Sequence, residues 1–291
     1  MNYFLHIRAL DAFPQVEIDV HAYEAICAAT ARLRVARRAE EKYDLVVRNY
    51  TDLERTTAEI GLRNLLGQNT GYDEFHDQTQ ALNARLINLM STARLYLDSV
   101  PKELGREFSE VFADPKDARA PFSEAYEKSP HYRFAESLRN FMQHRDTAIA
   151  NFKTGGTRPI DEPHHINFQV DYYAALPELV KDSQFKEANF SELGPKINLK
   201  TAIRAYVGLL SASHCQNREK TARTLTSLRR TLEDALALYA EQADGKVTGL
   251  VACGPDRPDC HVMLDWDNIR VRLESQNRSL HRLEARSHIW E

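Results

Sequence analysis

Apolar residues recur every three or four positions over most of this chain, which is the spacing of amphipathic helices. The clearest run comprises Leu82, Leu86, Leu89, Met90, Ala93 and Leu97. Similar patterns without any proline cover about 21–66 and 198–242. Two glycines in the stretch 67–71 separate the first helix from the second. We expect the second helix to stop at Pro101, because the residue before a proline disfavours the helical conformation. The pattern therefore predicts a mainly α fold.

Alternating apolar and polar residues, typical of strands, are confined to short segments. A strand is predicted near 166–172, and a hairpin is predicted near 249–264 around the turn residues Gly254 and Pro255. Weaker alternation at 3–7 or 16–20 allows one more strand. We interpret 1–245 as a mostly helical domain. The segment 246–291 then forms a β-hairpin and a C-terminal helix that pack on the same domain.

Composition and charge are those of an ordinary globular protein, with 43% hydrophobic and 27% charged residues. The net charge of −4 gives no overall attraction to nucleic acid, so any RNA contact requires a local basic patch. Acids such as Glu40 and Glu41 lie among the arginines, which is typical of solvated helix faces. If RNA binds, the predicted contacts are Arg32, Arg34, Arg37, Arg38, Arg145 and Arg223.

The first residues lack the charged start and continuous apolar core of a signal peptide, and no window holds the roughly 20 apolar residues of a membrane span. We therefore expect no membrane partner. The four cysteines are widely spread, which favours reduced thiols in a cytoplasmic protein. Cys253, Cys260 and His261 are candidate zinc ligands, but six residues separate the two cysteines, unlike a zinc knuckle. We therefore predict no metal and no cofactor.

The candidate chemistry lies on one short helix. Ser129 and Pro130 are typical of a helix N-terminus, and this helix is expected to end near Arg145. Its apolar face comprises Phe134, Leu138, Phe141 and Met142. At about 100° per residue, the opposite face holds four polar side chains within an arc of roughly 140°. These are Arg139, Asn140, Gln143 and His144. A cation, an amide and an imidazole on one face are the groups that a phosphodiester-handling site uses.

The run from Arg139 to His144 resembles the Arg-polar-x-x-x-His signature of HEPN-domain proteins, which lies near the end of a helix in an all-α bundle. The stretch 83–98 resembles the preceding helix of bacterial proteins with this signature. An arginine also precedes a histidine at Arg158 and at Arg282. In the first case prolines interrupt the segment, and the second lies close to the C-terminus. The resemblance covers roughly 40–240 and implies a HEPN-like helical bundle with small β elements.

For such a protein the resemblance implies a metal-independent endoribonuclease whose two copies face each other across a composite cleft. Arg139 would hold the scissile phosphate, and Asn140 would orient the phosphate or the imidazole. His144 would act as general acid or base at the ribose 2′-hydroxyl or the leaving oxygen. The resemblance also implies a toxin or defence effector that acts on RNA as a homodimer, with an inhibitor or antitoxin protein as a partner.

A different class of function uses the same face of the helix: a non-catalytic helical module that binds RNA or a protein. In a third alternative the motif only packs the bundle. The position of Arg139 distinguishes these hypotheses. A solvent-accessible motif in a cleft between protomers would permit catalysis. An Arg139 held in an intramolecular salt bridge, with His144 buried under the hairpin, would favour binding or a structural role.

Overall fold

The computed structural model describes residues 2–9, 12–68, 71–144, 147–149, 151–158, 160–161, 164, 166–175, 179–181, 185, 191–280 and 283. The chain forms two compact units. Unit 1 comprises Met1–Lys42, Val100–Ala118 and Asn217–Arg278. Unit 2 comprises Tyr43–Ser99, Arg119–Gln216 and Ser279–Glu291. Each unit is described by itself below, and the boundary expected near 245 stays a prediction.

Helices account for most of the described residues, which confirms the mainly α class. They are α1 (Val20–Leu65), α2 (Tyr72–Glu107), α3 (Ala120–Lys128), α4 (Pro130–His144), α5 (Leu199–Ala240) and α6 (Asp265–Gln276). The break predicted between the first two helices is present, and Gly67 follows α1 with a φ of 65°, a conformation that favours glycine. No helix in the described part of the chain combines the length and apolarity that a membrane span requires.

The predicted end of the second helix at Pro101 is wrong, because α2 continues to Glu107. A proline inside a helix lacks the N–H that would bond to the carbonyl four residues earlier. That carbonyl belongs to Leu97, and it accepts a hydrogen bond from Nη1 of Arg119 at 3.5 Å. A side-chain donor therefore takes the place of the missing backbone donor.

Two small antiparallel sheets accompany the helices. Their strands are β1 (Tyr3–Ile7), β2 (Val16–Ile18), β3 (Asn151–Thr157), β4 (Asn167–Ala175), β5 (Lys196–Asn198), β6 (Leu250–Gly254) and β7 (Arg257–His261). Unit 1 holds the order β2-β1-β6-β7, and unit 2 holds β3-β4-β5. The predicted hairpin is thus confirmed as β6 and β7, and the strand predicted near 166–172 is β4. Both N-terminal candidates are strands, and β1 pairs with β6 so that Leu5 lies opposite Ala252.

The start of α4 agrees with its sequence. The Oγ of Ser129 accepts a hydrogen bond from the backbone N–H of Tyr132 at 3.2 Å, as expected for an N-cap. Phe134 and Leu138 are fully buried in the core of unit 2, as the apolar pattern predicts. The helix is therefore anchored at its first turn and along one side, which fixes the directions of its polar side chains.

Candidate functional site

The polar side chains predicted to share one face of α4 lie in different environments. Arg139 is buried, with 5% of its surface exposed, whereas Asn140 is exposed. The reason is a second buried face that the apolar pattern did not reveal, formed by Tyr132, Ala135 and Arg139 at helical spacing with the half-buried Glu136 beside them. The backbone of α4 extends to His144, but the side chain of His144 and the whole of Arg145 lie outside the described residues.

Arg139 belongs to a polar network with Glu136 and Tyr206. Its Nη2 lies 3.4 Å from Oε2 of Glu136, one turn earlier on the helix. The hydroxyl of Tyr206 on α5 donates to Oε1 of the same carboxylate at 2.6 Å. Burial, together with the Glu136 charge, raises the pKa of Tyr206 well above its ordinary value. The tyrosine therefore stays neutral and acts as a donor, so Glu136 is held from two sides.

Two buried polar atoms next to this network have no hydrogen-bond partner among the described residues. They are Nε of Arg139 and the hydroxyl of Tyr132. The ring of Tyr132 packs against that of Tyr206, with centroids 4.8 Å apart. Burial, with the nearby charge of Glu136, raises the pKa of Tyr132 far above its ordinary value, so this hydroxyl is also protonated. Unpaired buried donors are rare and point to a missing acceptor.

A cavity of about 320 Å³ in unit 2 adjoins the network. Its wall includes Tyr132 and Glu136 from α4 and Leu97 from α2. Arg119, the residue immediately before α3, also lines it. No motif in the sequence marks Arg119, Tyr132 or Glu136 as a site residue. The spacing of Glu136 and Arg139 was visible as an i,i+3 ion pair. Nothing in the sequence indicated that Tyr206, 70 positions from Glu136, would join them.

The arginines predicted to bind RNA differ in their surroundings. Arg32 pairs with Glu110 and donates from Nε to the carbonyl of Glu107 at 3.0 Å, and Arg37 lies 3.6 Å from Glu41. Arg34, Arg38 and Arg223 are exposed in unit 1, and the guanidinium of Arg34 lies 5.6 Å from the ring centre of Trp266. Arg145 lies outside the described residues. Exposed guanidinium groups are thus present on α1 and α5.

The candidate zinc ligands lie on the hairpin of unit 1. Cys253 is on β6, while Cys260 and His261 are on β7. Both cysteines are free thiols, and the described residues contain no group of three side chains that could hold a metal ion. The Sγ of Cys260 lies 3.5 Å from Oγ1 of Thr30 on α1. Burial and the neighbouring thiol of Cys27 raise the pKa of Cys260 to about 11.

Comparison of the chain with protein-family models, with curated proteins and with solved structures finds no match.

Proposed function

We propose that this chain is a non-catalytic helical module that binds RNA. The observation that favours a non-catalytic role over catalysis is the position of Arg139, which is buried and paired with Glu136. A guanidinium that stabilises a phosphate in a transition state must reach that phosphate, and one that is held inside the protein against a carboxylate is occupied structurally. The binding alternative is therefore ranked above catalysis.

The proposed RNA contacts are the exposed arginines of unit 1. Arg38 and Arg223 are exposed, and neither forms an ion pair in the part of the chain that the structure describes. Cations of this kind bind phosphates by displacing counterions, which is independent of base sequence and weakens with salt. Since the net charge of the chain is −4, binding depends on these local groups and is weak at physiological salt.

Fluorescence anisotropy of a labelled single-stranded RNA of about 20 nucleotides tests this proposal over a range of salt concentrations. Replacing Arg38 and Arg223 together by alanine should weaken binding about tenfold and reduce the salt slope by about 1.4, since each lost contact accounts for about 0.7. Arg55→Ala is the matched control, because Arg55 is also exposed but pairs with Asp52 in unit 2. Equal affinity of the double variant and the control would overturn the proposal, as would an absence of binding at low salt.

A second candidate function is that of a HEPN-type endoribonuclease. Its catalytic residues would be Arg139, Asn140 and His144. One observation favours it: Nε of Arg139 has no hydrogen-bond partner among the described residues, so the ion pair with Glu136 does not use every donor of this guanidinium. In this proposal two copies of the chain form the cleft, RNA is cleaved without a metal, and an inhibitor or antitoxin protein restrains a cytoplasmic toxin or defence effector.

Incubation of the protein and its His144→Ala variant with mixed RNA in EDTA tests the second candidate. The product of 2′-hydroxyl attack is a cyclic phosphate, and its detection for the parent protein alone would establish the nuclease and the role of His144. Asn140→Ala should then reduce the rate as well. Intact RNA in every sample, under conditions where anisotropy shows binding, would leave the binding module as the function.

A further inference from the structure

The cavity beside α4 is lined by aromatic and polar side chains in equal measure. Its volume of about 320 Å³ lies at the lower end of the range for such sites. Leu97, Phe122 and Tyr126 supply apolar and aromatic surface, and Arg119 and Tyr132 supply polar groups. Sites for small molecules combine aromatic surface with a few polar groups that orient the ligand.

The hydroxyl of Tyr132 indicates what the ligand must offer. Tyr132 is 2% exposed and lines the cavity, yet its hydroxyl has no hydrogen-bond partner among the described residues. A neutral phenol can donate one hydrogen bond, and a buried donor without an acceptor lowers the stability of the folded state. An oxygen atom of a bound ligand would satisfy it.

Arg119 supplies a positive charge to the same cavity. Its side chain forms no ion pair within the described ranges, and its one hydrogen bond, to the carbonyl of Leu97, is long at 3.5 Å. Arg119 and Tyr132 both line this one cavity. Glu136 also lines the cavity, but Arg139 and Tyr206 already occupy its carboxylate. Glu127 lines the cavity as well and is exposed to solvent, which screens its charge.

We propose that this cavity binds a small aromatic carboxylate. The carboxylate lies between the guanidinium of Arg119 and the hydroxyl of Tyr132, which together provide a charge-assisted contact and a neutral donor. The ring of the ligand lies against Phe122 and Tyr126. In this arrangement Arg139 is a positioning residue: it neutralises Glu136, which would otherwise repel an anion. The site belongs to unit 2 and does not depend on RNA binding, which is proposed for unit 1.

Fluorine NMR with 4-fluorobenzoate as the probe tests the proposal on the full chain. The uncharged isostere 4-fluorobenzamide is the matched ligand. Tyr132→Phe keeps the ring and removes only the hydroxyl, while Arg119→Gln removes the charge from an exposed side chain. Tyr173→Phe and Arg94→Gln make the same changes in unit 2 outside the cavity. Circular dichroism establishes that each variant is folded.

We expect the fluorobenzoate signal to broaden and shift on addition of the protein, with affinity at least about tenfold higher than for the amide. Each cavity variant should weaken carboxylate binding about fivefold or more, and the two control variants should bind like the parent. The proposal is overturned if the parent does not bind fluorobenzoate at about 10 mM. It is equally overturned if acid and amide bind alike, or if the cavity variants match the controls.

Discussion

Replacing Glu136 by alanine removes the carboxylate that both Arg139 and Tyr206 contact. The side chain of Arg139 is 6% exposed and that of Glu136 is 17% exposed, so the pair is largely shielded from water. Removing one partner of such a pair leaves an uncompensated charge, at a cost of about 3–5 kcal/mol. The hydroxyl of Tyr206 also loses its 2.6 Å hydrogen bond to a charged acceptor, worth about 1.5–3 kcal/mol. Because both losses involve one carboxylate, they do not add. We expect the free energy of unfolding to fall by about 3–5 kcal/mol in total.

Urea-induced unfolding, followed by circular dichroism, measures this loss. Glu136→Gln keeps an acceptor for Tyr206 and removes only the charge, so it should destabilise the protein less than Glu136→Ala. Glu124→Ala is the matched control, since Glu124 pairs with Lys128 on the exposed surface of α3, and its urea midpoint should equal that of the parent. If Glu136→Ala unfolds at the same urea concentration as Glu124→Ala, Arg139 is not held by a buried ion pair and our reasoning is refuted.

Three further predictions concern other parts of the molecule. Tyr132→Phe should leave the unfolding free energy unchanged or raise it, because the hydroxyl that is lost has no hydrogen-bond partner among the described residues. Tyr206→Phe should lower the unfolding free energy by about 1.5–3 kcal/mol, because it removes the hydrogen bond to Glu136. Equal effects of the two substitutions in urea unfolding would contradict this prediction. Gly61→Ala should stabilise the protein by about 0.5–1 kcal/mol, because alanine favours a helix more than glycine does and its Cβ would make only an ordinary contact. Gly105→Ala should destabilise the protein, because its Cβ would collide with the carbonyl oxygen of Pro115. Equal shifts of the melting temperature for the two variants would rule this out. Burial raises the pKa values of Cys253 and Cys260 to about 11 from 9.0, so the unfolded state loses these protons first and the unfolding free energy should fall as pH rises from about 9 to about 11. A flat profile in that window, or a profile that Cys253→Ser and Cys260→Ser do not flatten, would refute the pKa shifts.

The elements of this fold were largely predictable because their signals are local. The start of α4 depends on Ser129 and Pro130, and the strand β4 depends on alternation within nine residues. The end of α2 was not predictable in the same way. Pro101 is a local signal to stop, but α2 continues past it. The carbonyl of Leu97, which lacks its backbone partner, receives a donor from Arg119, 18 positions after the proline.

In the candidate site, too, features that depend on neighbouring residues could be predicted, and features that depend on residues far apart in the sequence could not. The sequence placed Arg139 on a polar face because its neighbours on that face are polar. Its burial depends on Glu136 and on Tyr206, and only the fold brings Tyr206 to α4. The cavity likewise combines residues of α2, α3 and α4 with Arg119, so no single stretch of sequence carries its pattern.

The state of the Arg139 guanidinium during RNA binding is the most direct test of our central claim, that this group is occupied inside the protein. Nitrogen-15 NMR resolves arginine Nε–H signals, and an Arg139→Lys variant assigns the signal of interest. We expect this signal to exchange slowly with solvent, because the group is buried, and to remain in place when single-stranded RNA is added. A rapidly exchanging signal that shifts on addition of RNA would contradict this claim, because it would show that Arg139 contacts phosphate as the nuclease requires.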